Sequence, residues 1–218
     1  DVNNNTALIT LKASSNDIIA LDVSANTALT YLRCDANQLT SLDISNNTAL
    51  TGLECFNNQL TSLDVSNNTM LTDLRCFNNE LTYLNMRNGV TDALTTFNAT
   101  NNDSLGCIET LDPDYAIANW TYANGNIDDG VTFSVLCGST DLSNWYVDTT
   151  GSDGQGTGTA VSPFASIQTG INAASSGDTV SVAAGTYVEN INYNGKNISV
   201  FGEDRETTII DGDSSGTV

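Results

Sequence analysis

The sequence predicts a mainly β solenoid, a fold in which the chain winds into short stacked turns. Three closely similar 21-residue segments follow one another without gaps, starting at Leu21, Leu42 and Leu63. Beyond residue 140 the composition changes to short apolar segments separated by glycines, which predicts a second module of short strands. Because a repeat buries its apolar side chains only against its neighbours, the length of 218 residues does not fix the number of domains.

Each repeat holds two copies of the pattern L-x-x-L-x-(C, V or I)-x-x-N, for example Leu29 to Asn37 and Leu39 to Asn47. Leucine alternating with a second apolar residue has the period of a β-strand, and the asparagine follows where the chain must turn. One turn of the solenoid is therefore predicted to have two strand-like sides. The same phase extends over residues 1–106, with a short insertion near Asn88-Gly89.

The asparagines of this pattern are predicted to form two inward ladders whose amides satisfy backbone groups at the bends. The ladders comprise Asn16, Asn37, Asn58 and Asn79 on one side, and Asn5, Asn26, Asn47 and Asn68 on the other. This nested repeat resembles the short leucine-rich repeats of secreted Bacteroidetes proteins. The resemblance implies export through a type IX secretion system.

Two groups of cysteines are distinguished by their spacing. Cys34, Cys55 and Cys76 recur every 21 residues at an inward position, which predicts a file of free, buried thiols. Cys107 and Cys137 bracket a block that includes Trp120, and residues 107–140 resemble the C-terminal cap that ends such repeats. The resemblance implies a disulfide between Cys107 and Cys137, and a disulfide implies an oxidising location.

Residues 141–218 resemble the N-terminal part of a pectin-lyase-like right-handed parallel β-helix. A first strand at Trp145-Val147 and a glycine-rich loop at 151–158 precede a helix that is predicted to start at Ser162-Pro163 and end at Gly177. Its apolar face is formed by Phe164, Ile167, Ile171 and Ala174. The resemblance implies that this helix caps a β-helix truncated at residue 218. It also implies that the catalytic coils of such enzymes would follow later, so no catalytic residue is transferred.

Composition and residue types exclude several kinds of chemistry. The chain has no histidine, which removes Ser-His-Asp and Cys-His catalysis and histidine-rich zinc sites. The acidic pairs Asp112 with Asp114 and Asp128 with Asp129 are interpreted as turn residues rather than as a glycosidase pair. Asp148 and Asp153 suggest a loose calcium loop, although a role in turns is favoured, and no metal site is assigned.

A formal charge of −20 with six cationic residues opposes binding to nucleic acid, and no apolar run is long enough to cross a bilayer. We therefore expect a secreted or cell-surface protein whose partners are a protein or a surface carbohydrate, besides the export machinery.

The predicted interaction surface lies beside the strands. Its members are Phe56 and Phe77, the charged file Arg33, Glu54 and Arg75, and the acidic file Asp22, Asp43 and Asp64. Exposed stacked phenylalanines would indicate recognition, whereas packing on the asparagine-rich turns is the alternative. The acidic file could favour a cation or a cationic partner, and the alternating charges could simply support stacking.

The sequence thus predicts a non-catalytic scaffold, adhesion or protein-interaction region of a large secreted or cell-surface bacterial protein. The alternative is a targeting or spacer region of a carbohydrate-active β-helix enzyme, either a polysaccharide lyase or a glycoside hydrolase, whose active site lies beyond residue 218.

Overall fold

A computed structural model describes residues 2–138 and 143–212. The chain forms two compact units, Asp1–Ser134 and Val135–Val218. The domain boundary predicted between residues 140 and 141 and the truncation predicted at residue 218 lie outside the described residues.

The first unit is a β-solenoid with two strand-bearing sides. One side is a five-stranded parallel sheet in the order β1 (Thr10–Lys12), β2 (Tyr31–Arg33), β3 (Gly52–Glu54), β5 (Asp73–Arg75) and β7 (Thr96–Asn98). The other side is a four-stranded parallel sheet in the order β4 (Ser62–Asp64), β6 (Tyr83–Met86), β8 (Cys107–Thr110) and β9 (Thr132–Ser134). A 3₁₀ turn at Thr91–Ala93 and helix α1 (Pro113–Asn119) complete the unit.

The strand register stacks the leucines of successive turns. Leu32 pairs with Leu53 and Leu53 pairs with Leu74, each at a spacing of 21 residues, and all three are fully buried. Leu74 then pairs with Phe97 rather than with residue 95, because the predicted insertion lengthens the intervening turn. Stacking therefore gives the unit one continuous apolar core, which no single turn could form.

The asparagine ladders hold the bends of neighbouring turns together. The Asn58 side-chain nitrogen donates to the carbonyl oxygens of Cys34 and Cys55 at 3.1 Å each, and its side-chain oxygen accepts from the Leu39 N–H at 3.0 Å. On the other side Asn47 donates to Val23 and Asn26 at 3.0 and 2.9 Å, but its own buried oxygen has no partner among the described residues.

The first-turn members of the two ladders are less buried than predicted, although Asn16 still donates to the carbonyl oxygens of Ala13 and Ser14 at 3.2 and 2.9 Å. Asn5 and Asn16 are exposed, since no described turn packs on their outer side.

The second unit contains two small parallel sheets and one helix. Strands β10 (Asn144–Val147), β11 (Thr179–Val182) and β13 (Ser199–Gly202) form one sheet, and β12 (Gly185–Val188) pairs with β14 (Thr208–Asp211). Helix α2 spans Ile167–Ala173. The assignment of this unit to a right-handed parallel β-helix with a capping helix stays a prediction.

The predicted start of helix α2 at Ser162-Pro163 is wrong. Phe164 instead forms a parallel bridge with Val147, and the helix begins after Ser166, whose hydroxyl accepts from the Thr169 N–H. The carboxylate of Glu189 also accepts from the first helical N–H groups, those of Ile167 and Gln168, at 2.7 and 2.9 Å. The helix therefore starts where two side chains satisfy its free N–H groups. The four apolar residues predicted for its face are all buried.

The two ladders predict unequal effects of asparagine removal. We expect Asn58→Ala to lower the free energy of unfolding by about 2–4 kcal/mol, because each buried backbone group left unsatisfied costs about 1–3 kcal/mol. Asn47→Ala should cost less, because it leaves fewer backbone groups unpaired and also removes a buried oxygen that has no hydrogen-bond partner among the described residues. Urea denaturation of both variants measures the difference, and an equal or larger loss for Asn47→Ala would contradict this account.

Candidate interaction surface

The side of the five-stranded sheet that faces away from the leucine core carries most of the predicted interaction residues. We call this surface the outer face. The strand register aligns its side chains in three files, which are Thr10, Tyr31, Gly52, Asp73 and Thr96, then Lys12, Arg33, Glu54, Arg75 and Asn98, and then Ser14, Asp35, Phe56, Phe77 and Thr100.

An ion-pair network fixes one half of the outer face. The Arg33 Nε atom lies 2.7 Å from Asp35 and 3.3 Å from Glu54, and the Ser14 hydroxyl donates to Asp35 at 2.6 Å. Burial raises the pKa of Asp35, but the hydrogen bonds from Arg33 and Ser14 outweigh burial and leave that pKa below its usual range. Asp35 is therefore charged and held in place. The sequence predicted only an alternation of charge along Arg33, Glu54 and Arg75, and it missed Asp35, which binds Arg33.

Glu54, which the sequence placed in the charged file, is covered by Tyr31. The Tyr31 ring lies across Gly52 on the next strand, where an added Cβ atom would come within 2.6 Å of the ring. From there the Tyr31 hydroxyl donates to the carboxylate of Glu54, which is only 8% exposed. Burial and this carboxylate raise the pKa of Tyr31 to about 12. Gly52 thus provides the space in which the aromatic ring lies flat.

Arg75 and the two phenylalanines form the other half of the outer face. Arg75 contacts both carboxylate oxygens of Asp73 at 3.1 Å. Phe56 and Phe77 stack face to face, with ring centroids 4.4 Å apart and planes 8° apart. Both rings are half-buried, so they form a rigid platform that still reaches solvent. The choice between recognition and packing on the turns stays a prediction.

The acidic file Asp22, Asp43 and Asp64 has a local structural role. Each carboxylate accepts the backbone N–H of the residue two positions later, at 2.9, 2.9 and 2.8 Å. Hydrogen bonds from Ser24 and Ser45 lower the pKa of Asp22 and Asp43 respectively. At the next turn Asn85 aligns with Asp64 and accepts the Arg87 N–H in the same way. This file therefore follows the turn geometry, which an amide satisfies as well as a carboxylate.

One member of each predicted acidic pair also binds backbone groups. Asp112 caps helix α1 through the Tyr115 N–H, and Asp128 accepts the N–H groups of Asn101 and Asn102 at 2.8 Å each.

In the second unit Asp148 accepts from Thr150, and Asp153 accepts from Ala165 and Ser166. Within residues 2–138 and 143–212, no three His, Cys, Asp or Glu side chains are grouped so that they could hold a metal ion.

The thiols of Cys34, Cys55 and Cys76 are free and fully buried in the core, as predicted. Burial raises the pKa of Cys34 and Cys76 to about 12 and that of Cys55 well above its usual value. Cys107 and Cys137 are disulfide-bonded. The interior thiols are therefore packing groups, since the reactive form of cysteine is the thiolate.

Sequence reasoning missed a buried ion pair between Arg87 and Glu109. Their side chains are 4% and 6% exposed and 3.2 Å apart, and the Tyr83 hydroxyl donates to Glu109 at 3.1 Å. The signal was the appearance of Arg87 where the preceding turn has Ser66, next to the insertion. Sequence reasoning also missed the role of Tyr31. The signal was Gly52, the one glycine in the file that contains Tyr31, because a position without a side chain leaves room for a ring from the neighbouring strand.

Comparisons with known proteins give distant structural similarities. A solved structure described as the functional domain of InlJ from Listeria monocytogenes, which includes a cysteine ladder, is 24% identical with a TM-score of 0.46; the match covers 97% of this chain and 50% of that one. A second, the internalin inlF from the same species, is 24% identical with a TM-score of 0.41, covering 50% of this chain and 37% of that one.

The chain thus spans about half the length of the first of these structures. With both TM-scores below 0.5, the description of the fold rests on strand register alone. No protein-family model and no curated protein matches the chain. In the described part of the chain, no helix has the length and apolar character needed to cross a bilayer.

The thiol burial predicts a clear labelling pattern. Iodoacetamide at about pH 8 should leave Cys34, Cys55 and Cys76 unmodified in the native protein, because the thiolate is the nucleophile and burial disfavours it. All three should be labelled in urea, whereas Cys107 and Cys137 should require a reductant as well. Mass mapping measures each site, and rapid native labelling of Cys55 would show that the core is not closed.

The raised pKa of Tyr31 predicts a loss of stability at high pH. An unfolded tyrosine ionises near pH 10, whereas the folded pKa is about 12. The contribution of Tyr31 is therefore complete below about pH 10 and lost as the pH rises towards about 12. In urea unfolding across this range Tyr31→Phe should lose less stability than the wild type. The control Tyr122→Phe, at an exposed ring, should follow the wild type; identical pH profiles for all three proteins would refute the role of Tyr31.

Proposed function

We propose that the outer face binds another protein, and that this chain acts as a non-catalytic adhesion or scaffold region of an exported surface protein. The observation that carries the proposal is the stacked Phe56–Phe77 pair beside the Tyr31–Arg33–Glu54 network. The few residues that carry most of the binding energy of a protein interface are enriched in tryptophan, tyrosine and arginine, and phenylalanine is also enriched at interfaces.

Rigidity supports this role. The arginines and tyrosine of the outer face are already held by neighbouring side chains, so a partner would not have to order them. Each rotamer-rich side chain that is immobilised on binding costs about 0.5–1.5 kcal/mol. A pre-ordered surface avoids much of that cost.

The charge distribution supports a protein partner rather than a polyanion. Lys12, Arg33 and Arg75, half of the six cationic residues of the chain, lie on the outer face. Arg33 and Arg75 are neutralised by Asp35, Glu54 and Asp73. The outer face is therefore locally near neutral in a chain of net charge −20, which suits a partner with an apolar centre and a mixed polar rim.

An extracellular location fits the disulfide between Cys107 and Cys137, because such bonds persist in oxidising compartments. The Bacteroidetes origin and the type IX route belong to the same proposal and rest on the sequence resemblance.

The test uses the whole 218-residue chain against an array of purified extracellular proteins, followed by affinity measurement for each binder. Replacing both rings by Phe56→Ala with Phe77→Ala should weaken binding by about a hundredfold, which corresponds to about 2.7 kcal/mol. The matched control is Met70→Ala, which removes an exposed apolar side chain from the same unit, and it should change affinity by less than about twofold. Binding that survives loss of both rings would refute the assignment to the outer face.

A further inference from the structure

The second unit carries a groove of about 390 Å³ on the face of the sheet formed by β10, β11 and β13. On the opposite face Trp145, Val147, Val180 and Val182 are buried in the core of the unit. The groove therefore lies on the outward face of the sheet, because successive residues of a strand point to opposite faces. Its volume falls within the range of sites that hold small ligands.

The register explains why a groove forms there. Tyr146, Ser181 and Phe201 align in one row across the three strands. In the row that follows, Ala183 lies between Asp148 and Glu203, as the hydrogen bonds from Ala183 to Val147 and from Glu203 to Val182 show. The central strand thus carries small side chains between larger ones. We call this groove the β11 trough.

The two strands that carry the walls of the trough are far enough apart to admit a flat ring between their side chains. Neighbouring strands lie about 4.8 Å apart, so β10 and β13 are separated by about 10 Å across β11. A ring lying over Ser181 would have Tyr146 on one side and Phe201, which is 62% exposed, on the other. Asn144 holds one wall and the floor in place, because it donates to the Tyr146 hydroxyl at 3.0 Å and accepts from Ser181 at 2.9 Å.

The next row supplies hydrogen-bond acceptors. Among the described residues, the hydrogen bonds to each of its two carboxylates use one oxygen: Oδ1 of Asp148 accepts from Thr150, and Oε2 of Glu203 accepts from the Ala184 N–H at 3.1 Å. Each carboxylate oxygen has further acceptor capacity, so both groups can receive hydroxyl donors from a ligand. The same negative charges would repel an anionic ligand.

We infer that the β11 trough binds a neutral saccharide chain. Sugar rings present apolar C–H faces to aromatic walls and hydroxyl groups to carboxylates, which matches the two rows. A peptide is disfavoured because β11 is paired on both sides, so it offers no free strand edge for backbone hydrogen bonds. Uronic-acid chains are disfavoured by Asp148 and Glu203. This site is independent of the outer face of the first unit.

The test measures binding of the whole chain to hexasaccharides of glucose, mannose and xylose, to hexagalacturonate and to hexalysine by calorimetry. At least one neutral hexasaccharide should bind, with no detectable binding of hexagalacturonate. Phe201→Ala should weaken that binding at least about tenfold, and Ser181→Leu, which fills the trough, should abolish it. The matched control Tyr193→Ala removes an exposed ring outside the trough and should leave affinity within about twofold.

Thermal unfolding curves that match the wild type will show that each variant is folded. Failure of every neutral hexasaccharide at millimolar concentration would overturn the inference. Equal binding by Phe201→Ala would do the same, as would a preference for hexagalacturonate. Binding of hexalysine alone would assign the trough to a cationic peptide instead.

Discussion

The first unit depends on one constraint, which is that every buried backbone group at a bend must find a partner in the next turn. Short strands pair the backbone groups of only a few residues on each side of a turn. The carbonyl groups at the bends would otherwise be buried without a partner. Asn37, Asn58 and Asn79 solve this with one side chain each, by donating to two turns and accepting from a third segment. The leucine core can then close over these bends with their backbone carbonyls paired.

That constraint also determines where functional side chains can lie. Inward positions are taken by leucine, small apolar residues and asparagine, and the exposed acidic file serves the turns. The outward positions of the five-stranded sheet are free to vary, and there Tyr31, Phe56 and Arg75 occur at sites aligned by register rather than by sequence proximity. Parallel stacking thus builds a surface from residues that are each one turn apart.

The sequence predicted the periodic features well because each depends on repetition. The leucine core, the buried thiols and the two strand-bearing sides all follow from phase. Prediction from the sequence failed where a single residue departs from the pattern of the 21-residue repeat. Glu54 was placed in the charged file of the interaction surface, but Gly52 lets Tyr31 cover it, and the Arg87–Glu109 pair lies where an insertion interrupts the repeat. Helix α2 was placed too early because Ser162-Pro163 matches a helix start locally, whereas Phe164 pairs with Val147.

The candidate sites were predictable to different degrees for the same reason. The 21-residue spacing was enough to predict two files, one of Arg33, Glu54 and Arg75 and one of Phe56 and Phe77. Their partners Asp35, Asp73 and Tyr31 required knowledge of side-chain direction. The β11 trough could not be anticipated, because its rows join strands whose spacings along the chain are unequal. The β-helix assignment and the enzymatic alternative stay predictions.

The constant spacing of 21 residues between paired strands has an evolutionary consequence. Duplication or loss of one whole turn leaves every ladder in register, because the new neighbours present the same side chains as the old. An insertion of any other length must be absorbed at a bend, as it is between residues 87 and 94, where the pairing shifts from a spacing of 21 to 23. Relatives of this chain should therefore differ in length mostly by whole turns, and compensating substitutions should occur at positions one turn apart.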